Sequence, residues 1–199
     1  MPGLRLGHLW RYGLIFLTIA PTLVLGRSLL PTHSSIEVRA AAVFPLEETT
    51  VRSGRWRRGF GVGVGLSIPV RGALHIRARA EVASLTTDST WAINFYDPPG
   101  VTASGGDRTL SGGYLEALGK LDRIRVFGGI GRLRDSQGEF FVTTDRVNRF
   151  VGVTNWAWSV HGGLGLNLGR TVAIEFALHR IDVGGSIFTY TPLSAVMMF

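Results

Sequence analysis

Five histidines, no cysteine and a scatter of serines bound the chemistry open to this 199-residue chain. Without cysteine there is no thiol nucleophile, disulfide scaffold, zinc-finger cluster or lipidated N-terminal cysteine. An ester-cleaving serine needs an imidazole base beside it and a further group to orient that base. The spacing supplies none: His161 precedes Gly162 and Gly163, His179 precedes Arg180 and Ile181, and His33-Ser34-Ser35 falls near the start of the expected mature chain. Ser67, in "GLSIP", lacks the last glycine of a Gly-x-Ser-x-Gly elbow. No two of His75, His161 and His179 stand at metal-ligand spacing, so they read as polar filler. "GVGVG" has no following helix in which to cradle a dinucleotide. The expectation is therefore no catalytic, cofactor or metal site, and a protein that is not an enzyme.

What the sequence does offer is a set of charges held inside apolar alternations. Glu37, Arg39, Arg77, Arg79, Glu81, Glu116, Arg125 and Glu175 each occupy the face opposite the apolar residues of their segment. Four acids balance four arginines. A lone charge buried among apolar walls is strongly unfavourable, whereas a mutually hydrogen-bonded set can satisfy itself. Such an inventory predicts a cross-linked plug rather than a channel lined by one sign of charge.

The elements that would hold these charges are strands of period two. Eight alternating segments, each near the length of a tilted membrane strand, cover approximately 35–45, 59–70, 73–84, 109–119, 124–134, 154–168, 171–181 and 187–199. Long connections at 46–58, 85–108 and 135–153 alternate with tight Arg71-Gly72 and Gly169-Arg170 turns and a short "KLDR", and a short "DVGGS" precedes the last strand. An up-and-down barrel follows, either soluble with an apolar lumen or membrane-spanning and turned inside out.

"GFGVGVGLSIPV" decides between the two. Its even positions, Phe60 to Val70, are all apolar, while its odd positions are Gly59, Gly61, Gly63, Gly65, Ser67 and Pro69. A face turned to water has no reason to be stripped of side chains. Inside a small barrel, glycines make room for the long Arg and Glu side chains of the flanking strands. The predicted fold class is all-β: an eight-stranded antiparallel up-and-down transmembrane β-barrel.

Both ends of the chain agree with that reading. Arg5, His8 and Arg11 precede the apolar run "GLIFLTIAPTLVLG", which holds Pro21 and is too short to span a bilayer, and Val24 and Gly26 fit a cleavage site. Residues 1–26 are expected to be a signal peptide and 27–199 the barrel domain. At the other end, "LSAVMMF" sets Leu193, Ala195, Met197 and Phe199 at two-residue steps on the lipid side, although Pro192 interrupts that strand and Val196 and Met198 make its inner face apolar. This ending resembles the assembly signal of bacterial outer-membrane barrels, with Phe199 as its terminal aromatic. With the meander and the leader, the chain resembles the OmpA/OmpX-type eight-stranded outer-membrane β-barrel family. The resemblance implies a bacterial outer-membrane location, monomers, the barrel assembly machinery as a partner, and contact with outer-membrane lipids and lipopolysaccharide. Some members of the class modify lipid A, but their His-x-Ser pair has no counterpart here.

The net charge of +7 is spread through apolar alternations rather than gathered on one element, which argues against nucleic acid. Function in this architecture lies with the loops. The first carries Arg55, Arg57 and Arg58, the second Trp91, and the third a mixture that includes Asp135 and Glu139. These residues are the candidate surface contacts of a structural or surface-interaction protein, with a small pore or hydrophobic-compound channel as the alternative and a lipid A-modifying enzyme third.

Overall fold

The computed structural model describes residues 34–48, 56–88, 102–143, 147–183 and 185–199. The expected signal peptide, Arg55 and Trp91 lie outside the described residues. In chain order the strands are β1 (Ser35–Glu48), β2 (Trp56–Arg71), β3 (Leu74–Thr87), β4 (Thr102–Gly105), β5 (Arg108–Leu121), β6 (Ile124–Gln137), β7 (Phe140–Thr143), β8 (Val147–Phe150), β9 (Val153–Asn167), β10 (Val172–Val183) and β11 (Ser186–Met198). Eight of them close into a barrel in the order β1-β11-β10-β9-β6-β5-β3-β2, every neighbour antiparallel. The seam is sealed at the end of the chain, where Ile36 N donates to Phe199 O at 3.1 Å and Phe199 N to Ile36 O at 2.9 Å.

Every barrel strand runs one to three residues beyond its apolar alternation at the loop end. There the strict alternation is broken by polar residues such as Glu47, Glu48, Arg57, Arg58, Thr86 and Thr87, so hydropathy loses the strand while backbone pairing continues. The long second and third connections are also not featureless, because β4, β7 and β8 form a separate three-stranded antiparallel sheet in the order β4-β7-β8. Asp135, read as a loop residue from sequence, lies within β6 and is buried.

The faces are inverted relative to a soluble protein. Ile76, Leu115, Ile130, Leu164, Phe176, Leu193 and Met197 are exposed, whereas Glu37, Arg77, Arg125 and Glu175 are no more than 1% exposed. Pro192 is accommodated without a register change: pairing of β11 with β10 stops at Leu193–Phe176 and resumes at Tyr190–His179, while its partner on β1 remains Val43. Proline has no N–H to give the ladder, and the gap opens where that donor is missing.

Candidate functional site: the charged lumen and the loop-end rim

Five strands, β1, β3, β5, β6 and β10, project the charged residues, and glycines on facing strands make space for them. On β3, His75, Arg77, Arg79 and Glu81 share the inward face, with Arg77 registered against Ser67 of β2 and Glu116 of β5. Gly63 is registered between Arg39 and Glu81, and Gly65 between Glu37 and Arg79. A methyl group on Gly63 would meet Ala80 O at 2.8 Å and Arg39 Cγ and Glu81 Cβ at 3.1 Å. The same device recurs where the alternation of β2 gave no hint of it. Gly129 and Gly131 oppose Glu116 and Tyr114, and Gly165 lies between Arg125 and Glu175. A Cβ on Gly131 would sit 2.3 Å from the Tyr114 ring, and one on Gly165 2.9 Å from Glu175 Cγ.

Across these sockets the structure brings together all eight charges named above. Arg77 donates to Glu175 at 2.7 Å and Glu37 at 3.0 Å, and through Nε to Glu116. Arg39 donates to Glu175 at 2.9 Å, Arg125 bridges Glu37 and Glu175 (the latter at 3.1 Å), and Arg79 lies 3.1 Å from Glu116 and 3.5 Å from Glu81. The guanidinium of Arg77 also lies over the Phe127 ring at 4.6 Å, and that of Arg79 over Tyr114 at 4.5 Å. Cationic groups flattened on aromatic faces gain attraction that a hydrated side chain would forgo.

Toward the loop end the network grades into a layer of rings in which His161 and His179, polar filler by sequence, are joined by Tyr114 and Tyr190. His161 Nε2 donates to Glu116 at 2.6 Å, and the His161 ring stacks on His179 at 4.7 Å. Tyr114 donates to Glu81 at 3.0 Å and meets the Tyr190 hydroxyl at 3.0 Å, which in turn lies 3.2 Å from His179 Nδ1. Beyond it, Leu85, Leu110, Leu133, Ala157, Ile181 and Phe188 form a buried apolar cluster with Trp56 and Tyr190. One further ion pair crosses this layer: Arg108 donates to both Asp135 oxygens, at 2.8 and 3.0 Å, beneath Phe188 at 3.9 Å. Both residues continue the inward parity of their strands, at two-residue steps from Glu116 and Arg125. The signal was present, one position outside the apolar segment.

A serine and a histidine do meet, across the hairpin of β2 and β3. Ser67 Oγ lies 3.3 Å from His75 Nδ1. Among the described residues no carboxylate is hydrogen-bonded to His75, so the third group of a hydrolytic triad is missing. Nor do the described residues contain a group of three His, Cys, Asp or Glu able to hold a metal.

At the rim, Arg57 is exposed but engaged, its guanidinium donating to Asp88 at 2.8 Å, while Arg58 is exposed on β2. Trp56, between Arg55 and these two in sequence, turns inward over Arg108 at 5.4 Å.

Neither a protein-family model nor a curated protein sequence matches the chain. Solved structures do. The crystal structure of Ail, the attachment invasion locus protein of Yersinia pestis, matches with a TM-score of 0.58 at 10% identity, over 83% of this chain and 97% of Ail. Ail in complex with the heparin analogue sucrose octasulfate gives 0.55 at 10% identity over the same shares. Neisserial surface protein A gives 0.48 at 10% identity, over 83% of this chain and 95% of the other. The fold is that of eight-stranded outer-membrane β-barrels.

Proposed function

We propose that the protein is a monomeric barrel of the bacterial outer membrane, closed to ions and solutes, that acts non-enzymatically by presenting its long loops at the cell surface. The observation that carries this reading is the pairing of an apolar outer wall with a lumen filled by oppositely charged side chains in ion-pair contact and capped by a largely apolar layer. A wall of that kind is stable in lipid, and a lumen of that kind offers no continuous polar path. The surface role rests on the loop-end sheet β4-β7-β8, on the exposed Arg58 and on the fold shared with an attachment protein. One structure of that neighbour holds a sulfated ligand, a class that arginines at a rim would suit. Lipopolysaccharide beside the rim and the barrel assembly machinery during insertion are its expected partners.

Cell fractionation followed by a heat-modifiability gel tests the placement. The protein should appear in the outer-membrane fraction as a species whose mobility changes on boiling. Recovery from the periplasm, without heat modification, would overturn it.

A further inference from the structure

Three arginines stand on the outer wall, on the side where a membrane barrel is otherwise apolar. Following the outward residues from the turn end, β6 reads Ile124, Val126, Gly128, Ile130 and then Arg132 and Arg134. β9 reads Leu166, Leu164, Gly162, Val160 and then Trp158 and Trp156, and β10 reads Val172, Ile174, Phe176, Leu178 and then Arg180. The change comes within two adjacent rows, first on β10 and one row further on β6 and β9. Ile130, Val160 and Arg180 share a row, the next row is Arg132, Trp158 and Asp182, and the one above pairs Arg134 with Trp156. A hydroxyl pair, Ser136 and Thr154 at 3.0 Å, completes the gradient.

This block is built rather than merely solvated. Trp156 and Trp158 are 62% and 63% exposed, and the Arg132 guanidinium lies over their rings at 5.4 and 5.9 Å. On its other flank Arg132 is registered against Gly113, whose outward position leaves the wall bare. Asp182, the acid of this block, accepts from Gly185 N at 3.3 Å in its own turn. The outward positions of β5 and β3 in the rows of Arg132 and Arg134 are uncharged: Gly113 and Ala80, and Ser111 and Val82. Arg132, Arg134 and Arg180 thus flank the two indoles of β9 from β6 and β10, apart from the exposed Arg57 and Arg58 of β2.

We propose that this sector binds the phosphorylated sugar headgroup of an outer-leaflet glycolipid, a refinement that rests on the outer-membrane reading above. Long loops face outward in such barrels, so the block lies at the level of the outer-leaflet headgroups. Arg132, Arg134 and Arg180 take the phosphates, for which arginine offers forked donors, the two indoles take the sugar faces, and Ile130, Val160 and Leu178 meet the acyl chains.

The test uses the full mature chain refolded into phosphatidylcholine nanodiscs doped with bisphosphorylated lipid A or its dephosphorylated form, with retained lipid counted by native mass spectrometry. The parent should retain bisphosphorylated lipid A in preference to the dephosphorylated form. R132S/R134S/R180S should lose retention by on the order of a hundredfold, because each arginine near an anionic surface is worth about fivefold. R71S/R123S/R170S, which removes the same charge at the turn end, should retain it. Equal retention by the first variant, or equal loss in both, would overturn the site. Should the triple variant not refold, Arg132→Ser against Arg123→Ser decides, with loss expected in the first alone. A parent that fails to insert at all would refute the membrane reading instead.

Discussion

Arg77→Ala is the sharpest probe of the lumen. The side chain is fully buried and holds three carboxylates at once, Glu37, Glu116 and Glu175, so its removal leaves the eight-member set with a net negative charge. Breaking a buried ion pair by deleting one partner costs about 3–5 kcal/mol. The lower end applies here for two reasons. Each orphaned carboxylate keeps another cation: Arg125 for Glu37, Arg39 and Arg125 for Glu175, and Arg79 for Glu116. Several guanidinium nitrogens, including Arg77 Nη2 and Arg79 Nη1, also have no hydrogen-bond partner among the described residues, so the parent network is not fully satisfied. The expected loss is about 3 kcal/mol, or a folded-to-unfolded ratio lower by about 150-fold. Urea titration in phosphatidylcholine vesicles, read by the heat-modifiable band, measures it. The double variant R77A/E116A restores neutrality and should lose less than the two single variants together, by about 1 kcal/mol or more. A loss under about 0.5 kcal/mol, or strict additivity, would mean a hydrated lumen in which each charge looks after itself.

The glycine sockets predict an asymmetry between adjacent residues: Gly163→Ala should destabilise by about 1–3 kcal/mol through overpacking, since its Cβ would lie 2.5 Å from the Phe127 ring and 2.3 Å from Phe176 O. Gly162→Ala on the outer wall, with its nearest contact at 3.7 Å, should be neutral or slightly stabilising in the same titration. Deleting Phe199, whose backbone closes the seam to Ile36, should reduce heat-modifiable barrel in cells while leaving export unchanged, as immunoblots of periplasm and outer membrane would show. Replacing Arg55, Arg57 and Arg58 by Ser should leave the barrel folded and weaken binding to anionic surfaces at low salt, with Arg57 contributing least because Asp88 already holds it. Unchanged binding in vesicle co-sedimentation would reduce those arginines to solvated charge.

The strand set and the inside-out faces were legible because lipid and lumen impose opposite chemistry on alternate residues, and period two survives single anomalies such as Pro192. Three things were not. The loop-end sheet β4-β7-β8 uses four-residue strands with no apolar alternation to betray them. Arg108 and Asp135 lie one residue beyond the apolar segments of their strands, so extending the parity would have paired them, but hydropathy gave no reason to extend it. The outward arginines of β6 and β10 follow directly after lipid-facing residues, and only the register that sets them beside Trp156 and Trp158 marks them as one surface. The sockets fell between: those of β2 were visible as six alternations, while Gly129, Gly131 and Gly165 are meaningful only once their cross-strand partners are known.

The central claim is that the lumen is shut by its own side chains, and single-channel recording in planar bilayers tests it most directly. With the insertion of purified, heat-modifiable protein verified, the parent should give a quiet baseline with no steady conductance, because paired charges and, above them, a layer apolar but for the Arg108–Asp135 pair occupy the lumen. Stable, uniform current steps from the parent protein would contradict the plug and make the barrel a pore.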